Sequence, residues 1–292
     1  MKRSYYESSA RERLVGILDR ASFHEFMPPS DRVRSPHLSQ LDIPAAFDDG
    51  IVVGQGLIDG RRVLAASQEG GFMGGGVGEV HGAKLVGLLE RALDQKPGAV
   101  LLLLDSGGVR LHEANAGLIA ISEIMRAVLD VRSAGIPVLA LNGGRCGCFG
   151  GMGVVARLCD AVIMNEEGRL GLSGPEVIET TCGVEEFDSR DRALVWRTVG
   201  GKHRYLLGEA EQLVADDIDS FRAQAIAHLN LVPDLSPAAI EREHAQLGER
   251  LVRFGACRDA IDIWSRLGIE NPAGLHLLEA HEFLIAVAGK RA

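Results

Sequence analysis

Two segments of the chain repeat one design. L-L-L-L-D-S-G-G-V-R-L-H-E starts at Leu101, and P-V-L-A-L-N-G-G-R-C-G-C-F-G-G-M-G starts at Pro137. Each is an apolar strand that ends in a Gly-Gly turn and opens towards a helix. A continuously apolar run such as Ala99–Leu104 suits a strand covered on both faces. Glycine after the strand lets the backbone bend sharply and lie close to whatever faces it. Of 36 glycines, 30 fall between Gly50 and Gly208, so this demand on the backbone is confined to the middle of the chain.

The surrounding pattern supports an α/β fold. Leu14, Val15 and Leu18 mark a short helix over residues 10–20, and residues 27–46, rich in proline and charge, read as an irregular connection. Two apolar runs flank Asp59-Gly60, a hairpin signature. Leu85, Leu88, Leu89 and Ala92 define a second helix face, and Leu118, Ile121, Met125 and Val128 a third, closed by Gly135 and Pro137. Strands follow at Val138–Leu141 and Ala161–Met164, with a short helix between them. Such alternation predicts parallel strands layered with helices. Residues 1–233 read as one α/β domain and 234–292 as a helical appendage. In the appendage Ile240, His244, Leu247, Leu251 and Phe254 line one face of a helix starting at Ser236-Pro237, and Asn271-Pro272 starts another. That face is expected to dock on a neighbouring subunit or on the chain's own core.

Charge narrows the function. Thirty-one Lys and Arg against 40 Asp and Glu leave a net charge of −9, which opposes nonspecific binding to a phosphate backbone. No apolar stretch approaches the roughly 20 residues of a membrane span, and the N-terminus lacks the apolar centre of a secretory signal. A soluble, cytoplasmic protein is expected. Five cysteines include no C-x-x-C pair, so buried free thiols, and no metal site, are expected.

The two Gly-Gly turns are the candidate site. Amide N–H groups left unpaired at such turns attract negative oxygen, and two converging on one point form an oxyanion hole. Tight turns without chemistry explain the same residues. Rival motifs are weaker. No P-loop or G-x-S-x-G elbow is present, and Gly151-Met152-Gly153-Val154-Val155-Ala156 matches a relaxed dinucleotide fingerprint, but on a helix too short for the usual crossover. His81, His112 and His203 stand isolated and read as structural.

The segments G-G-F-M-G-G-G-V-G-E-V-H-G-A-K, D-S-G-G-V-R-L-H-E-A, C-F-G-G-M-G and G-L-S-G-P-E-V-I-E-T-T resemble hallmarks of acyl-CoA carboxylase carboxyltransferases of the N-terminal type. R-E-R-L-V-G-I-L-D-R-A-S-F-H-E-F resembles their opening helix, so the likeness runs from about Arg11 to Asp217. The chain lacks an N-terminal zinc ribbon and is too short for both carboxyltransferase halves. It is most similar to the β subunits of biotin-independent malonate decarboxylases.

That resemblance implies a crotonase-like fold and a γ subunit carrying the other half. It also implies an α subunit that acts as acyl carrier protein transferase, and a malonyl thioester on an acyl carrier protein. The carrier bears a phosphopantetheine-type prosthetic group (phosphoribosyl-dephospho-CoA), and this chain binds no cofactor of its own. The family positions place catalysis at Gly108, Val109, Gly150 and Gly151, the amides of Val109 and Gly151 holding the enolate oxygen. Gly74, Gly75, Gly76, Gly78, Gly107 and Arg110 fall in the substrate-binding positions, with the Gly74–Gly78 loop along the pantetheine path. The alternatives are the β subunit of a biotin-dependent carboxyltransferase and a noncatalytic scaffold that shapes a neighbour's site.

Overall fold

The structure is a computed structural model and describes residues 3–35, 40, 50–113 and 115–292. From residue 36 on, and apart from residue 40, the expected irregular connection lies outside these. Helix α1, Ala10–Ile17, begins with a capping box in which Ser9 and Glu12 satisfy each other's amides. Its inward face is Ala10, Arg13, Leu14 and Ile17. Val15, expected in that stripe, is exposed, because it sits a further 100° around the helix from Leu14.

Strand β1, His24–Phe26, pairs antiparallel with β2, Ile51–Ile58, which turns into β3, Arg61–Gln68. The hairpin turn has positive φ at both Asp59 and Gly60, as a two-residue turn matched to strand twist requires. From β3 onward the expected alternation holds: α2 (Glu79–Gln95), β4 (Ala99–Leu104), α3 (Ala116–Ser133), β5 (Val138–Asn142), α4 (Gly151–Arg157) and β6 (Ala161–Asn165). Helices α5 (Pro175–Cys182), α6 (Arg192–Val199) and α7 (Gly201–Leu206) then lead to β7 (Gln212–Val214) and α8 (Ile218–His228). The seven strands lie in chain order, parallel from β3 to β7. The sheet is thus mixed, since a two-residue hairpin can only join antiparallel neighbours.

Both faces are covered, which explains the unbroken apolar strands. Along β4, Val100, Leu102 and Leu104 pack under α2, α3 and α4, while Ala99, Leu101 and Leu103 pack against α1 and α8. The buried side of α3 is Ile121, Ile124, Val128 and Val131. Leu118, expected in that stripe, is exposed, as is Ile119. The apolar residues of α3 span more than one face, and the position of α2 selects which of them are buried.

The C-terminal part is helical: α9 (Pro237–Phe254), α10 (Ala260–Arg266), a 3-10 turn over Pro272–Leu277 where a helix was expected after Asn271, and α11 (Ala280–Ala286). Phe254, Trp264, Leu275 and Phe283 pack on Leu206 and Leu213 of the sheet domain. Of the two expected roles of helix α9, capping of the chain's own core is met only at one end. Of its apolar face only Phe254 is buried, and Ile240, Leu247 and Leu251 are exposed. Towards the core it presents Glu243, Gln246 and Arg250 over a polar cleft shared with Arg132, Arg157 and Asp160. Arg157 lies 3.7 Å from Glu243. Among the described residues, no helix is long and apolar enough to cross a membrane.

The docking of the C-terminal helices carries a pH dependence. Trp264 Nε1 donates to Nδ1 of His203 at 3.3 Å in a buried setting. Burial, aided by Arg204, pushes the His203 imidazole down to about 4. The unfolded chain takes up this proton near pH 6.5, whereas the folded one does so only near 4. The stabilisation is therefore complete above pH 6.5 and is lost as pH falls towards 4, by up to about 3 kcal/mol at roughly 1.4 kcal/mol per unit. Urea unfolding at pH 7 and 4.5 should show this loss, and His203→Gln should flatten it. An equally steep loss in the variant would assign the effect to other groups.

Candidate active site

Strands β4 and β5 are parallel neighbours, with Leu104 opposite Asn142, so both Gly-Gly turns leave the same edge of the sheet. They lock together just beyond it. Ser106 donates its amide to the Gly147 carbonyl at 2.7 Å, and Phe149 donates to the Ser106 carbonyl at 2.9 Å. Short parallel bridges extend this layer from Ser106 to Cys148 and from Cys148 to Leu170. On the other side, Val77 donates to the Gly108 carbonyl and accepts from the Arg110 amide, each at 2.9 Å.

That pairing decides where Val109 points. In a parallel bridge the residue between the two bonded groups turns its own N–H away from the partner strand. The amides of Ser106, Gly107, Gly108 and Arg110 all donate within the protein, whereas the Val109 amide has no partner among the described residues. The second turn ends alike: Gly150 donates to the Leu172 carbonyl, and the amide of Gly151, first residue of α4, has no partner among the described residues. Gly108 at φ +141 and Gly150 at φ +61 adopt backbone that side chains rarely tolerate. A Cβ on Gly150 would lie 3.6 Å from the Gly108 Cα, so the two turns abut. A Cβ on Gly151 would press on Ile121 at 2.5 Å.

The other expected site residues surround this point. The carbonyl of Gly74 accepts from the Gly107 amide at 2.9 Å, which fastens the 74–78 loop to the first turn. A Cβ on Gly75 would overlap the Asp105 carbonyl, one on Gly78 the Glu113 carboxylate, and one on Gly76 would crowd Arg110 at 3.1 Å. These three glycines have a packing reason, and a Cβ on Gly74 would meet open space. The Arg110 side chain is buried in an ion pair with Glu113 at 3.1 Å, under the Phe72 ring. Glu113 in turn accepts from the Glu79 amide at the start of α2. The fingerprint-like run at Gly151 lies on a seven-residue helix, and Glu166 pairs with Lys202 at 2.8 Å.

Sequence reasoning missed a buried ion pair beneath the turns. Arg13 Nη1 donates to Asp105 Oδ2 at 2.9 Å, both side chains being almost fully buried. Burial holds the Asp105 carboxyl above the ordinary carboxylate range despite Arg13 and the Cys146 amide. Cys146, half-buried beside it, is pushed up to about 11 by burial and by Asp105. Two signals were available: an arginine at i+3 within the apolar face of α1, and an aspartate ending a six-residue apolar strand. The five cysteines are free thiols. Among the described residues, no group of three or more His, Cys, Asp or Glu could hold a metal ion.

Beside the turns, a mostly apolar groove of about 500 Å³ runs between α2 and α3, lined by Gly82, Ala83, Val86, Ala116 and Ile119 with Glu79 at its rim. Leu111, Leu118 and Ile119, which follow the first turn in the chain, are exposed, and Ile119 lines this groove.

Comparison with known proteins finds relatives of the chain as a whole. The carboxyl transferase domain family matches residues 6–241. A malonyl-S-ACP:biotin-protein carboxyltransferase of Malonomonas rubra is 43% identical over 97% of this chain and 95% of its own. The acetyl-coenzyme A carboxylase carboxyl transferase subunit β of Fusobacterium nucleatum is 31% identical over 61% of this chain and 60% of its own. Among solved structures, a chain of a Pseudomonas malonate decarboxylase hetero-tetramer in complex with malonate superposes with a TM-score of 0.84 at 41% identity, covering 91% of this chain and 97% of that one. A chain of the Pseudomonas malonate decarboxylase hetero-dimer gives 0.68 at 38% identity, over 84% and 97%.

Proposed function

Since the chain belongs to the carboxyl transferase family, enzymes that act on carboxyl groups and share the crotonase-like fold, we propose that it is the β-type half of a malonate decarboxylase. In this reading it converts a malonyl thioester on an acyl carrier protein to an acetyl thioester and CO2. The observation that carries the proposal is the pair of amides, Val109 and Gly151, that have no partner among the described residues, on two abutting glycine turns.

Decarboxylation breaks the bond between the α-carbon and the carboxylate carbon. CO2 leaves, and the electron pair spreads from the α-carbon onto the thioester oxygen as an enolate. A proton then completes the acetyl group. Charge on that oxygen appears as the bond breaks, so donors fixed beforehand favour the transition state over the substrate. In this chain those donors are the Val109 and Gly151 N–H groups. Gly107, Gly108 and Gly150 permit the close approach, and Gly74 and its loop border the path of the carrier's arm. The phosphopantetheine-type arm, of the phosphoribosyl-dephospho-CoA kind, belongs to the carrier and arrives as part of the substrate. Arg110, held by Glu113, supports the turn from below.

The solved malonate decarboxylase relatives come from a hetero-dimer and a hetero-tetramer. We assign this chain a γ partner that closes the opposite side of the site, an α subunit that transfers the carrier, and the acyl carrier protein itself. The exposed Leu111, Leu118 and Ile119 beside the α2–α3 groove suit an apolar interface with the γ half.

One observation favours a second reading: the Malonomonas rubra relative is named for transfer to a biotin protein. There the same enolate would be formed while the carboxyl group passes to biotin on a partner. Radiolabelled malonyl carrier protein, offered to the purified complex with and without avidin, separates the two. CO2 release indifferent to avidin is expected. Avidin-sensitive carboxyl transfer would replace decarboxylation with the second reading, and full activity of a complex lacking this chain would make it a scaffold.

A further inference from the structure

Asp105 stands where every part of the site meets. Its amide donates to Gln68 Oε1 at the end of β3 at 3.0 Å. Its Oδ1 accepts from the Cys146 amide in the second turn at 2.7 Å, and its Oδ2 accepts from Arg13 on α1 at 2.9 Å. Arg13 is itself fixed, with Nε donating to the Tyr5 carbonyl at 2.9 Å and Nη2 to the Tyr6 carbonyl at 3.4 Å. Three loops close around the aspartate at glycines. A Cβ on Gly144 would overlap its carboxyl group, one on Gly70 would sit 2.6 Å from Oδ2, and one on Gly75 would overlap its carbonyl.

This arrangement does more than bury a charge. The first turn begins at Asp105 itself and reaches Val109 four residues later. The second is tied to the same carboxylate at Cys146 and reaches Gly151 five residues later. Asp105 is thus part of the first turn and accepts from the backbone of the second, with its buried carboxylate ion-paired to Arg13. A buried ion pair is a poor device for stability alone, because apolar residues of similar volume often serve as well; a geometric role accounts better for its cost.

We propose that Asp105 is a positioning residue of the reaction: anchored by Arg13, its carboxylate ties the turn presenting Val109 to the turn presenting Gly151 and sets the spacing of the two donors. This rests on the oxyanion reading above. Asp105 touches no reacting atom, and its effect runs through backbone placement. The charged and titratable groups around it are Arg13, Glu69, Tyr5 and Cys146.

Asp105→Asn keeps the size of the side chain and an acceptor for Cys146 but removes the anion that faces Arg13. In the assembled complex, with malonyl carrier protein as substrate, kcat should fall roughly 10- to 100-fold, the loss attending a displacement of about 1 Å. KM should stay within about twofold, because in this reading the carboxylate acts on donor spacing and touches no substrate itself. The effect should collapse to less than about threefold in a Val109→Pro background, where the spacing between two donors no longer matters. A kcat near wild type in assembled Asp105→Asn overturns the proposal, as does a full loss persisting in the Val109→Pro background. If Asp105→Asn does not assemble, Gly144→Ala displaces the same carboxylate from the opposite side. An assembled Gly144→Ala complex with kcat reduced supports the assignment, and one with unchanged kcat overturns it. Near wild-type decarboxylation by Val109→Pro alone would instead strike the oxyanion reading, so the two failures are told apart.

Discussion

Val109→Pro in the assembled complex is expected to lose on the order of 10²–10³ in decarboxylation rate, the cost of one oxyanion-hole donor, while Val109→Ala retains most activity. The contrast follows from the hydrogen bonds. Val77 pairs with the Gly108 carbonyl and the Arg110 amide, and a proline at 109 leaves both bonds intact. The N–H it removes has no partner among the described residues, so the fold forfeits no hydrogen bond. Proline also restricts the residue before it, and Gly108 is the residue type that best tolerates such a demand. Alanine keeps the N–H and trims methyl groups from a side chain that is only partly buried. Melting temperature and co-purification with the partner check that the proline variant is folded and assembled. If such a variant decarboxylates at near wild-type rate, Val109 is not a donor. An alanine variant as damaged as the proline one would assign the role to the side chain.

The isolated chain is expected to turn over malonyl thioester at least about 10²-fold more slowly than the complex. Donor dipoles act strongly where water is excluded and weakly where it competes. Here the neighbouring α2–α3 groove is open, and Leu111 is 82% exposed on its side of the turns. A partner surface over Leu111, Leu118 and Ile119 would bury apolar area and dry the site together. Initial rates for the lone chain, the lone partner and the reconstituted pair measure this. A lone chain as fast as the pair would show that the site is complete within one subunit.

Much of the architecture was legible because local rules governed it. A two-residue Asp59-Gly60 turn needs positive φ twice and can only join antiparallel strands, so the hairpin was readable from four or five residues. An unbroken run from Ala99 to Leu104 has no side to turn to water, so a strand covered on both faces followed. The stripe of α2 was also read correctly: Leu85, Leu88, Leu89 and Ala92 are all buried. Periodicity failed where apolar residues were in excess. Helix α3 offers Leu118, Ile119, Ile121, Ile124, Met125 and Val128, and packing against its neighbour leaves Leu118 and Ile119 out. Helix α9 shows the reverse. Its apolar face suits either a neighbour or the chain's own core, and on the core Phe254 alone is inserted, beside charged residues.

The candidate site divides along the same line. By itself the sequence determined that strands would end in glycine turns, because only glycine allows the backbone at Gly108 and Gly150, and its motifs placed the chain among carboxyltransferases. The tertiary structure alone decided which amides stay unpaired. Whether an N–H is free depends on every other strand and loop that could accept it: Gly107 is taken by Gly74, Gly108 by Ser106 and Gly150 by Leu172, which leaves Val109 and Gly151 without a partner among the described residues. The pairing of Arg13 with Asp105, 92 residues apart, was likewise decided only when α1 folded under the sheet. Hydrogen-bond satisfaction and charge burial are sums over contacts distant in sequence, so no local pattern of residues contains them.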